Sequence, residues 1–164
     1  MAAAMGINWG DPTGTRPAPL QAAVAGAGLM GAWHAHAIRR AGGRVAAVID
    51  ADLQAAQRLA RKYAGALAVA GLAEALDRTP LQVLHLCTPT ATHAPLSQAA
   101  LEVGLHVMVE KPAAESAAQT AQLAAGAQAH GRLICPVHQF CFQRGVAQAR
   151  RRLPRLGGWS TGAL

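Results

Sequence analysis

Four short segments of this sequence hold residues whose types and spacing could do chemistry. The first is Gly26-Ala27-Gly28-Leu29-Met30-Gly31, a Gly-x-Gly-x-x-Gly turn. Between a strand and a helix, Gly26 would make the tight turn, Gly28 would let the backbone approach a pyrophosphate, and Gly31 would allow close helix–strand packing. The helix opened by Leu29, Met30 and Gly31 then offers free N–H groups and a positive dipole end to phosphates. The second is Asp50, which ends the next apolar run nineteen residues after Gly31. An acid there accepts hydrogen bonds from the ribose hydroxyls of NAD and repels the 2′-phosphate of NADP, so NAD is expected over NADP. The third is Glu110-Lys111-Pro112. Proline keeps Lys111 out of helical geometry, and an ammonium held there can donate to a substrate oxygen and steady its charge during hydride transfer. Only two of the 15 basic residues are lysines, Lys62 and Lys111, which hints at a need for a compact ammonium. On these residues alone an ordinary surface Glu-Lys turn fits equally well. The fourth is Thr88-Pro89-Thr90 with His93.

These segments need a scaffold that brings them together, and the pattern around them supplies one. From Gln21 onward, short apolar runs alternate with longer alanine-rich stretches. The runs read as buried strands at about 21–25, 44–49, 66–70, 81–87, 105–109 and 132–137. The stretches read as helices running from the glycine turn to Arg40, then over about 52–63, 71–78, 93–103 and 114–130. Asp52 is placed to cap the second helix. Such alternation predicts an α/β fold with a doubly wound parallel sheet, the Rossmann arrangement. Ligands of these sheets bind beyond the carboxyl ends of the strands, where residues 26–31, 50, 88–93 and 110–112 all fall. Thr88, Pro89, Thr90, His93 and Glu110 therefore join the glycine turn and Asp50 as candidate cofactor contacts. His34 and His36 lie in the first helix. His85, inside a strand, and His106, between apolar neighbours, read as structural.

Composition bounds the alternatives. At 52% hydrophobic and 14% charged, the chain buries a core and is not disordered by composition. The net charge of +7 gathers at Arg144, Arg150, Arg151, Arg152 and Arg155. No nucleic-acid motif accompanies that charge and stacking aromatics are scarce, so a nucleic-acid partner is not expected. No apolar run is long enough to span a membrane. Cys87, Cys135 and Cys141 are odd in number and lack metal-ligand spacing, so neither a disulfide framework nor a metal site is indicated, and a reducing cytoplasmic setting fits. Residues 1–20 read as a loose leader, 21–137 as one dinucleotide-binding domain, and 138–164 as a linker or the start of a truncated substrate domain.

Together these residues resemble the glucose–fructose oxidoreductase / inositol dehydrogenase (Gfo/Idh/MocA-like) family. The likeness rests on the glycine turn followed by His34, the strand ending in Asp50, Thr88-Pro89-Thr90-x-x-His93, and above all the run from Ala100 to Pro112, ALEVGLHVMVEKP. It covers about residues 21–137. The resemblance implies an NAD- or NADP-dependent enzyme acting on sugars, polyols or related hydroxy compounds. It also implies that Lys111, in the place of the family's usual catalytic lysine, is catalytic. Whether the Lys111–Pro112 bond is cis is left open by the sequence. Family members continue into a second α/β domain that lines the substrate site and through which they often associate. That domain is expected to be absent or truncated here, so a homo-oligomer is expected only with it. The segment around Cys141 matches the family loosely. The alternative reading is a non-catalytic NAD(H)-binding module or an inactive fragment.

Overall fold

The computed structural model describes residues 18–152. Six parallel strands form one sheet: β1 (Gln21–Ala25), β2 (Arg44–Ile49), β3 (Leu67–Val69), β4 (Val83–Leu86), β5 (His106–Val109) and β6 (Ile134–Pro136). Their spatial order is β3-β2-β1-β4-β5-β6. The helices between them are α1 (Leu29–Arg40), α2 (Leu53–Ala60), α3 (Leu72–Arg78), α4 (His93–Glu102) and α5 (Ala117–Ala129). After β3 the chain crosses from one side of β1 to the other, so the order reverses between β1 and β4. A crevice at such a reversal is the usual ligand site of doubly wound sheets.

The sheet is buried on both faces, and its residues divide by parity as a pleated strand requires. Ala22 and Val24 of β1 pack with Ile38 of α1 and Leu59 of α2. Ala23 and Ala25 face the other way, in a core with Leu84, Leu86, Leu101, Val107 and Val109. Each fully buried leucine of this kind contributes about 1.5–3 kcal/mol of hydrophobic stabilisation. The small side chains of β1 and β2 let α1 come close to the sheet.

Register places the working residues. Ala25 of β1 lies opposite Ile49 of β2 and Leu86 of β4. Leu86 lies opposite Val109 of β5, which lies opposite Pro136 of β6. These carboxyl ends are therefore flush. The residues that follow them, Gly26, Asp50, Cys87, Glu110 and Val137, stand in one row along one edge. Backbone bonds continue the ladder into that row: Gly26 N–H donates to Ile49 O (2.8 Å), Cys87 N–H to Ala25 O (2.8 Å) and Glu110 N–H to Leu86 O (2.9 Å).

Some boundaries differ from the sequence expectation. The second helix stops at Ala60 rather than Tyr63, because the chain turns there toward Gly65, whose φ is +71°. A 3-10 turn at Thr90–Thr92 links Pro89 to α4. The segment expected as linker carries a 3-10 turn at Gln139–Phe142 and a helix, α6 (Arg144–Arg152), rich in strong helix formers. The expected leader up to residue 17, and the tail from residue 153 with Arg155 and Trp159, lie outside the described residues. No described helix is long and apolar enough to cross a membrane.

Candidate dinucleotide and substrate site

The glycine turn occupies the switch point between β1 and β4. Gly26 has φ +94°, and a Cβ there would lie 2.5 Å from the carbonyl oxygen of Cys87. Both conditions demand glycine. Gly31 sits in the first turn of α1, where a Cβ would collide with the carbonyl oxygen of Gly26. Gly28 is different. It is the N-cap of α1, with extended backbone and no side-chain cap, and a Cβ on it would meet nothing within 4 Å. Open space above a helix N-terminus with unsatisfied N–H groups is what a bound pyrophosphate requires. The chain's own atoms thus explain Gly26 and Gly31; above Gly28 they leave open space, as they also do above Gly71, the N-cap of α3, so what sets Gly28 apart is its place at the switch point between β1 and β4. Leu29 and Met30 follow as exposed first-turn residues, with Trp33 beside them 61% exposed.

Asp50 closes the opposite wall. Its Oδ2 accepts from Ala27 N–H at 2.7 Å and its Oδ1 from Asp52 N–H at 2.9 Å. It therefore ties the end of β2 to the glycine turn. A carboxylate offers about four acceptor sites, so these two bonds leave room for ribose hydroxyls. Asp52 is the helix cap expected of it, its Oδ1 accepting from Gln54 and Ala55 N–H.

Beyond β4 lies the Thr88–His93 turn. Thr92 Oγ1 donates within this turn, 2.7 Å from Thr88 Oγ1 and from Pro89 O. Pro89 is exposed, while Thr88 and Thr90 are partly so. His93 is 1% exposed, and its ring spans two turns. Nδ1 is 2.8 Å from Pro112 O and Nε2 is 2.8 Å from Thr88 O. Carbonyl oxygens only accept, so both bonds form together when both ring nitrogens carry hydrogen. The ring joins the turn after β4 to the turn after β5.

The Lys111–Pro112 bond is cis. Lys111 is exposed at the carboxyl edge, and among the described residues its ammonium forms no ion pair. Glu110, expected among the cofactor contacts, is buried and gives both oxygens to protein donors. Oε1 lies 3.1 Å from Nε2 of His34, and Oε2 accepts from Lys111 N–H at 3.2 Å. His34 Nδ1 in turn lies 3.0 Å from His85 Nδ1. Burial, and then His34 beside it, pull the His85 imidazole down to about 4. His85 is in the core as expected, but the buried chain His85–His34–Glu110 was missed. The available signal was the position of His34 on the stripe Gly31, His34, Ala35, Ile38, which α1 turns to the sheet. A histidine on such a stripe needs a polar partner.

Cys87 follows β4 beneath the glycine turn. Burial, then the nearby Glu110 carboxylate, push its thiol up to about 12, so it stays neutral and is no nucleophile. His106 is structural: its Nδ1 accepts from Leu133 N–H at 3.0 Å and so fixes the approach to β6.

A doubly wound sheet with an open glycine at its switch point and an acid on the next strand end is the architecture of a dinucleotide-binding Rossmann domain. Residues 20–138 match the model of the Gfo/Idh/MocA oxidoreductase family with an NAD-binding Rossmann fold; the chain belongs to that family. It is 32% identical over 138 residues to 4-carboxy-2-hydroxymuconate-6-semialdehyde dehydrogenase of Sphingobium sp. strain SYK-6, covering 78% of this chain and 44% of that protein. It is 33% identical over 120 residues to inositol 2-dehydrogenase 4 of Saccharopolyspora erythraea, covering 72% and 36%. Among solved structures, GenD2 from gentamicin A biosynthesis, in complex with NAD, superposes with a TM-score of 0.77 at 29% identity, covering 81% of this chain and 38% of that one. The 3-ketoreductase KijD10 of Actinomadura kijaniata, in complex with NADP and TDP-benzene, superposes with a TM-score of 0.74 at 26% identity, covering 84% and 42%. The chain thus spans less than half the length of these relatives.

Proposed function

We propose that this chain holds NAD along the carboxyl edge of its sheet, for hydride transfer between the nicotinamide ring and a carbinol carbon of a sugar, polyol or related hydroxy compound. The observation that carries the reading is the place of Gly28: an open helix N-terminus at the switch point between β1 and β4, with the Asp50 carboxylate at the end of the neighbouring strand. Gly26, Gly28, Leu29, Met30 and Gly31 form the phosphate cradle. Asp50 takes the ribose. Thr88, Pro89, Thr90 and His93 shape the wall toward the nicotinamide, with Glu110 beneath. The dinucleotide supplies the hydride chemistry when bound, and the chain supplies binding and orientation. Lys111, free at the mouth, donates from its ammonium to the substrate oxygen. A cytoplasmic setting suits the free cysteines, and the substrate is a small molecule.

The Lys111 role is tested by Lys111→Ala in a polypeptide that carries the full length of the relatives. Loss of a positioned donor is expected to lower kcat about 100-fold and leave NADH affinity nearly unchanged. Undiminished kcat removes Lys111 from the chemistry. NADH binding without turnover of any polyol by the unmutated polypeptide would support the sensor reading instead. For cofactor choice, the Asp50 carboxylate is expected to give NADH at least about tenfold tighter binding than NADPH, roughly 1.4 kcal/mol. Parallel calorimetric titrations with the two dinucleotides measure this, and equal affinities contradict the preference.

A further inference from the structure

We propose that Glu110 is a positioning residue: its buried carboxylate, held by His34, fixes the main chain from which the Lys111 ammonium extends. This rests on the reading of Lys111 as the donor at the mouth of the site. The geometry makes the link. Each Glu110 oxygen has a different partner, one on helix α1 and one on the Lys111 main-chain N–H. A carboxylate only accepts, so His34 must present Nε2–H to it. In the neutral ring Nδ1 is then bare and takes the hydrogen of His85 Nδ1 across 3.0 Å. The chain of donors therefore runs in one direction, from His85 of β4 through His34 of α1 to Glu110 after β5. Glu110 and His34 are each 7% exposed, where hydrogen bonds are strong and unpaired groups costly.

The consequence is a mechanical connection between two working parts. The first turn of α1 faces the phosphate cradle, and its second turn carries His34. That turn is joined through a single carboxylate to the root of Lys111. The lysine side chain has a flexible four-carbon stem and no ion-pair partner among the described residues. Its root is what this structure holds in place.

Glu110→Gln tests the idea with little change in volume. The amide oxygen can accept from Lys111 N–H or from His34, and the NH2 group can keep the His34 contact only if that ring turns to its bare-Nε2 tautomer, which reverses its bond to His85; the native order of donors is lost either way. The sequence has only two lysines, Lys62 and Lys111, so 13C-dimethylation gives two assignable side-chain NMR signals. In the free chain, Glu110→Gln is expected to displace the Lys111 signal by more than its line width and leave Lys62 in place. A second pair of variants guards against a folding defect. His34→Gln places an amide donor where Nε2 stood and is expected to keep the Lys111 signal near its native position, whereas His34→Leu is expected to displace it. A Lys111 signal unmoved by both Glu110→Gln and His34→Leu overturns the proposal, as does equal displacement by His34→Gln and His34→Leu. The free-chain comparison needs no dinucleotide. An unmutated chain that binds no NADH would therefore sink the dinucleotide reading, while displacement of the Lys111 signal by Glu110→Gln would leave the positioning role of Glu110 standing.

Discussion

Gly31→Ala is expected to abolish NADH binding and to destabilise the chain by about 3 kcal/mol or more, at the upper end of what overpacking costs. The Cβ would meet a backbone carbonyl, that of Gly26, and backbone cannot rotate away as a side-chain tip can. Gly26 cannot yield either. Its N–H is bound to Ile49 O and its positive φ fixes the turn. The helix must therefore move outward from Val24 and the sheet, which spoils both the core contact and the cradle. Gly28→Ala is the matched control. Its Cβ meets no protein atom, and an N-cap glycine exchanged for alanine costs about 1 kcal/mol or less. Stability should nearly hold while NADH binding weakens at least about tenfold, because a methyl group then occupies the space a phosphate needs. Chemical denaturation and NADH titration of the two variants separate the effects. Equal loss of binding and stability in both would mean that the turn is merely structural.

A second large effect is acid destabilisation through His85. Its imidazole titrates at about 4 in the folded chain against 6.5 normally, chiefly because it is buried and secondly because His34 lies against it. Between those values the unfolded chain binds the proton and the folded chain does not, so stability rises with pH across this window. The contribution is fully present above pH 6.5 and is lost progressively as pH falls toward 4. At about 1.4 kcal/mol for each tenfold difference in proton affinity, its full size is about 3 kcal/mol. Urea midpoints measured from about pH 7 down to about 4.5 should fall, and His85→Gln should remove about one proton from the slope. A slope unchanged by His85→Gln contradicts the buried neutral imidazole.

The parallel sheet was legible because its signals are local and agree with one another. RVAAVI reads as a strand buried on both faces, and β2 runs from Arg44 to Ile49 as expected. Gln21–Ala25 likewise matches β1 residue for residue. Glycine and proline marked where elements end, so the carboxyl edge and its residues could be found without coordinates. The polar interior could not. His34, His85 and Glu110 are separated by 51 residues along the chain at one step and 76 at the other. Only the packing of α1 against β4, beside the residue that follows β5, brings them into contact. Glu110 and His93 were both expected at the cofactor, on the strength of their position after a strand. That position says which edge a residue joins, not which way its side chain turns. In the fold the His93 ring lies between the turns after β4 and β5, and Glu110 lies between α1 and the Lys111 main chain, both buried at that edge. The helix α6 was missed for a different reason. Its arginines read as a charged tail, yet alanine, glutamine and arginine are all strong helix formers, and the run Ala147-Gln148-Ala149-Arg150-Arg151-Arg152 contains nothing else.

The central claim is that the carboxyl edge binds a nicotinamide dinucleotide. Trp33 lies largely exposed one turn into α1, close enough to the cradle for its fluorescence to report a bound reduced nicotinamide. Titration of the 164-residue chain with NADH, followed by energy transfer from tryptophan, tests this most directly. The account predicts saturable transfer with a dissociation constant between about 1 μM and 1 mM, weakened at least about tenfold in Gly28→Ala and displaced by NAD. An emission that rises linearly with NADH up to about 1 mM, with no saturation and no displacement by NAD, would contradict it.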